Sequence, residues 1–149
     1  MTDRSVMDLC VESASAAAEA GAFPNGSAVV GVDGAVLAVS RSHAEDTPDP
    51  TAHAEVSAIR AAAAGHGVRV LEGGTLFTTL EPCAMCLHAA ASAGIVRIVY
   101  GCERSAVGDG AYVSTASAAD LSARLIRPIV LEHLPAPGIA DRVTRFLTG

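Results

Sequence analysis

A chain of 149 residues, half of them hydrophobic and 17% charged, is the size of one compact domain, here 1–149, and is too apolar for intrinsic disorder. The net charge is −6 and all ten basic residues are arginine, which weighs against gripping a long polyanion and removes lysine-based Schiff-base and P-loop chemistry. Aromatics make up only 3% and Trp is absent, too few for a stacking platform along single-stranded nucleic acid.

In chain order, apolar positions at Val6, Leu9, Cys10 and Ala17 predict a helix over 5–19 that Gly21 ends. Segments 27–32 and 35–39 read as strands flanking Asp33-Gly34, a two-residue hairpin signal. The polar stretch 41–50 reads as a loop. Thr51 is expected to cap a helix running to about Ala64, with Gly65 ending it. A strand over 75–80 follows Gly73-Gly74, and Pro82 marks the start of a helix reaching about Ser92. The segment 95–100 (IVRIVY) reads as a buried strand. A short helix is expected near 118–124, and then a strand near 125–131 whose Pro128 demands a sheet edge. An amphipathic helix over 138–147 closes the chain. Helices alternating with strands imply a three-layer α/β/α sandwich around a mixed sheet.

No membrane span or secretory leader is read. The richest apolar stretch, 89–99, is broken by Ser92, Gly94 and Arg97, well short of the ~20 residues a bilayer requires. The start MTDRSVMDLC lacks a basic-then-apolar pattern. A cytoplasmic location is therefore expected, and a disulfide framework is not.

The chemistry gathers in two segments, DPTAHAE (49–55) and LEPCAMC (80–86). Cys83 and Cys86, three apart at a helix start, share one face and can meet one cation, and free N–H groups there favour thiolates. His53 supplies a third ligand. One His and two Cys leave a fourth tetrahedral position open, as in a catalytic zinc site. Glu55, two residues from His53, is placed to move protons beside the metal without binding it. Redox C-x-x-C and closed structural zinc are the competing readings. The latter needs a fourth ligand among His43, His66, His88 and His133, each more simply a surface or loop histidine. Cys10 and Cys102 read as buried small hydrophobes.

With the pattern H-x-E…P-C-x-x-C in place, the sequence resembles the cytidine deaminase superfamily. Within it, the resemblance is to the branch of guanine deaminases, fungal-type cytosine deaminases and tRNA adenosine deaminases. It implies the deaminase α/β/α sandwich with a five-stranded mixed sheet, and a homodimer or larger homo-oligomer. It also implies one zinc held by His53, Cys83 and Cys86, with Glu55 as proton shuttle. The backbone N–H of Ala54 would bind the base, and the carbonyl of Glu81 the leaving amine.

Two departures from the family pattern bear on the substrate pocket. Ser42 stands where the family has an asparagine that holds the base. The segment before the hairpin, FPNGSAVV, looks one residue longer than usual and offers Asn25 in its stead. Asp109 and Tyr112 are further candidates from a loop over the pocket. The expected reaction is hydrolysis of a ring C–NH2 to C=O with release of ammonia. A free nucleobase or nucleoside is the expected partner, an aminopurine such as guanine first. A tRNA wobble-adenosine deaminase is the alternative, weakened by the acidic chain and by a last helix with only Arg142 and Arg145. Cytosine-type and aminotriazine deaminases, and a base-binding protein without activity, complete the field.

Overall fold

The computed structural model describes residues 1–149. Helix α1 (Asp3–Glu19) begins where Thr2 accepts a hydrogen bond from the Ser5 amide at 3.1 Å. Strands β1 (Gly26–Val30) and β2 (Val36–Arg41) form the hairpin, and α2 (Ala54–His66) follows a long loop. Then come β3 (Thr75–Thr78), α3 (Ala84–Ser92), β4 (Arg97–Tyr100), α4 (Ala118–Ala123), β5 (Val130–His133) and α5 (Ile139–Thr148). Single 3-10 turns at 68–71, 104–106 and 109–111 were not foreseen from the sequence.

The sheet order is β2-β1-β3-β4-β5, with β1 antiparallel to both neighbours and β3, β4 and β5 mutually parallel. Alternate residues of the central strands feed two cores. Ala28, Val30, Phe77 and Val99 pack under α1 and α5, together with Met7, Cys10, Ile139 and Val143. Val29, Leu76 and Ile98 pack under α2, α3 and α4 with Ala58, Ala62, Leu87 and Ala118. This is the expected α/β/α sandwich with a five-stranded mixed sheet. No helix is long and apolar enough to cross a membrane.

Three local expectations are corrected. The hairpin loop is Val32–Gly34 rather than two residues: Gly31 N–H donates to Ala35 O at 2.9 Å, and Gly34 takes a positive φ of 83°. That is the three-residue loop with a left-handed glycine. Thr51 does not cap α2, because its amide and hydroxyl both donate to Asp49 Oδ1, at 2.9 and 2.6 Å, closing an Asx turn. The cap falls on His53. The last strand starts at Val130, not Leu125, since pairing opens at Arg97↔Val130 beyond Pro128. Ser122 holds the approach by bonding both the amide and the carbonyl of Ile129, at 2.8 and 2.7 Å. The edge position inferred from Pro128 stands.

Gly26 sets how closely α1 approaches β1. A Cβ there would collide with the carbonyl oxygen of Cys10 and lie 2.8 Å from the Ala14 amide nitrogen. Both are helix backbone and cannot rotate away. Gly26→Ala is expected to cost about 1–3 kcal/mol, or roughly 2–4 °C of melting temperature per kcal/mol. A thermal melt of the variant measures it.

Candidate active site

Three chain segments converge at one end of the sheet: the start of α2, the start of α3 and the residue before β1. His53 is the N-cap of α2 and Cys83 the N-cap of α3, with Cys86 three residues on. His53 Nδ1 lies 3.7 Å from Cys83 Sγ and 3.4 Å from Cys86 Sγ. All three ligand atoms fall within 4.8 Å of one another. A tetrahedral zinc with N and S ligands at ~2.0–2.1 and ~2.3 Å requires N···S separations of about 3.5 Å. These donors therefore fit zinc, and the three residues could hold it.

The electrostatics suit a cation. Two helix N-termini point their positive ends and free N–H groups at the thiols. The hydrogen bond from Cys86 and the neighbouring His53 bring the Cys83 thiol down to about 4. Cys83 in turn raises His53. Cys86, the hydrogen-bond donor and fully buried, is pushed up. Glu55 sits in the first turn of α2, only 3% exposed. Burial, and then the negative Cys83, raise its carboxyl to about 7, where a group both accepts and returns a proton at neutral pH.

Above this floor is a cavity of about 180 Å³. Ser42, Asn25, Ala54, Glu81 and Tyr112 all border it, as do His53, Glu55 and Cys83. Of the chain's three phenylalanines and two tyrosines, Phe23, Phe146 and Tyr112 line this one cavity. Phe23 and Phe146 meet edge to face, with centroids 5.4 Å apart. No arginine borders the cavity; its titratable walls beyond the metal ligands are Glu45, Glu55, Glu81 and Tyr112.

Asp109 is not part of the cavity. It is exposed and pairs with Arg104 at 3.0 Å, which places it outside the pocket where the sequence reading expects it. The Glu81 backbone carbonyl accepts the Tyr112 hydroxyl at 2.6 Å. The Glu81 carboxylate takes the amides of Arg104 and Ala118, at 3.1 and 3.2 Å, and so ties down the loop carrying Tyr112. Arg104 lies 4.2 Å over the Tyr112 ring and donates to the carbonyls of Ala116 and Ser114. Phe23, Phe146, Thr78, Thr79 and Arg104 went unread as site residues. Thr78 and Thr79 do stand just ahead of the LEPCAMC run.

The remaining histidines are elsewhere. His43 pairs with Asp46 and His133 with Glu103, each at 3.1 Å, and His88 bonds the Ala84 carbonyl at 2.8 Å. Cys10 and Cys102 are buried in the core under α1, and burial pushes both thiols up, Cys10 to about 12.

Comparison with known proteins adds to this geometry. Residues 1–102 match the model of the cytidine and deoxycytidylate deaminase zinc-binding region. The chain belongs to that family. The chain is 40% identical to the tRNA-specific adenosine deaminase of Agrobacterium fabrum over 97 residues, 65% of this chain and 63% of that one. It is 41% identical to the guanine deaminase of Bacillus subtilis over 78 residues, 52% and 50% of the two chains. A solved guanine deaminase from Nitrosomonas europaea superposes with a TM-score of 0.84 at 20% identity, covering 99% of this chain and 86% of that one. That likeness concerns the fold. The chain spans less than two thirds of these curated relatives, and only 16% of the Deinococcus radiodurans tRNA(Ile)-lysidine synthase with which it shares 45% identity over 92 residues.

Proposed function

We propose that this member of the deaminase superfamily hydrolyses the exocyclic amine of a free aminopurine, guanine first, at a zinc held by His53, Cys83 and Cys86. A small cavity with aromatic edges and no cationic wall carries the reading. Its volume of about 180 Å³ is below the ~300–1,000 Å³ of pockets for drug-sized ligands, which suits one heterocycle. Carboxylates at its rim disfavour a phosphate-bearing ligand. Phe23, Phe146 and Tyr112 offer ring edges and faces to a planar base.

A zinc ion in this donor set would acidify water toward a pKa of ~7 and supply the nucleophile. Glu55 would accept one proton from the attacking water and deliver it to the ring nitrogen, then take the second proton from the new C–OH and pass it to the amine, which leaves as ammonia while the ring carbon becomes C=O. The Ala54 N–H, a first-turn donor of α2, holds the ring carbonyl or its equivalent. The Glu81 carbonyl accepts from the amine, using the lone pair that Tyr112 leaves free. Ser42 adds one hydroxyl to the wall. It offers a single donor where an amide offers a paired donor and acceptor.

A specific observation favours a second reading, deamination of a tRNA wobble adenosine. Arg142 and Arg145 line a groove that shares Phe146 with the cavity. Ammonia release from guanine and from a tRNA anticodon stem-loop, measured side by side at low and moderate salt, separates the two. Turnover of guanine that is indifferent to salt is expected. Salt-sensitive turnover of the stem-loop alone would reverse the order.

Exposed Val68, Val96 and Ile126 around one groove support the expected homodimer, and four free cysteines suit the cytoplasm.

A further inference from the structure

We infer that Asn25 is a positioning residue for Glu55: its side-chain amide pins one oxygen of the buried carboxylate so that the other is left to move the proton. Asn25 Nδ2 donates to Glu55 Oε1 at 2.9 Å, inside the protein and against the cavity wall. The amide's orientation is itself fixed. Its Oδ1 accepts the Thr79 hydroxyl at 2.5 Å, and the Thr78 hydroxyl lies 3.4 Å away. Thr79 Oγ1 in turn accepts the Gly26 amide at 3.1 Å, so its own proton is directed to Asn25. Every donor in the chain Gly26, Thr79, Asn25, Glu55 therefore has one direction. Reversing the amide would set oxygen against oxygen at Glu55 and leave the Thr79 proton without an acceptor.

The relay is built by sheet register. Antiparallel pairing sets Ser27 against Thr78 and carries Thr79 alongside Gly26, next to Asn25. Asn25 is 5% exposed, Thr78 and Thr79 are fully buried, and an unmade bond among them is costly. A carboxylate that must face first water and then a leaving amine loses rate if it swings between rotamers. A neutral donor holds it without supplying a competing charge.

The assignment rests on the deaminase reading only for what the held carboxylate does, and two measurements keep them apart. With guanine and zinc-loaded protein, Asn25→Leu is expected to lower kcat about 10- to 100-fold with KM little changed and zinc content intact. Thr79→Val should lower kcat in the same sense, and Thr79→Ser should restore it. In isotope-labelled protein, the Asn25 side-chain amide proton, identified by its loss in Asn25→Leu, is expected far downfield. It should move upfield in Glu55→Gln, where a charge-assisted bond becomes a neutral one. Wild-type kcat in Asn25→Leu, or an amide proton indifferent to Glu55→Gln, overturns the assignment. If guanine is not turned over at all, the proposed substrate fails and the amide proton decides the role of Asn25 alone.

Discussion

Glu55→Gln is expected to retain zinc and fold while losing roughly 10²- to 10⁴-fold in turnover, the range of general acid–base catalysis. At 1.36 kcal/mol per decade this is about 3–5 kcal/mol of barrier. Glutamine keeps the volume of the buried side chain, and its oxygen still accepts the Asn25 amide that Glu55 accepts at 2.9 Å. What it lacks is an oxygen able to take up and return a proton. Glu55 stands apart from the three residues whose donor atoms cluster for a metal, so zinc stoichiometry should stay at one per chain. Steady-state ammonia release alongside elemental analysis checks both halves. A variant that keeps more than a tenth of wild-type turnover would remove Glu55 from the mechanism.

Cys86→Ser is expected to abolish both metal binding and turnover. Cys86 is fully buried, with its sulfur 3.4 Å from His53 Nδ1, and a serine hydroxyl stays protonated at neutral pH where a zinc ligand must be an anion or a neutral imidazole. Two ligands then remain of three. Wild-type protein in zinc at a thousand times Kd should gain about 4 kcal/mol of stability, or roughly 8–16 °C. The variant should melt at one temperature with or without zinc. A Cys86→Ser protein holding a full equivalent of zinc would show that the cation sits elsewhere.

The clustering of His53, Cys83 and Cys86, with Glu55 beside them, was legible because it is written in short spacing. Three residues on a helix start put Cys83 and Cys86 on one side, and His53 and Glu55 lie two apart at another. The sandwich followed from the alternation of helices and strands, and its two cores follow from strand residues that alternate between faces. The aromatic wall formed by Phe23 and Phe146 was not legible. Phe23 and Phe146 meet only because α5 folds back over the start of the hairpin, a contact between opposite ends of the chain. Asn25 borders the cavity, but its partner depends on the register of β1 against β3, which brings Thr79 beside it. Asp109 was misplaced because the Arg104 guanidinium, five residues earlier, draws its carboxylate outward. Thr51 was misread because Asp49 competes for its hydroxyl. Local competitors of this kind move the ends of elements and leave the elements themselves standing.

In the proposed function, Glu55 and the His53, Cys83 and Cys86 donor set serve one event, the replacement of a ring amine by oxygen from water. The most direct measurement is therefore to run the zinc-loaded protein with guanine in heavy-oxygen water and analyse the product by mass spectrometry. Equimolar ammonia and a deaminated base carrying the heavy oxygen are expected, both lost on chelation and recovered with added zinc. Ammonia release that survives removal of the metal, or a product without the label, would contradict it.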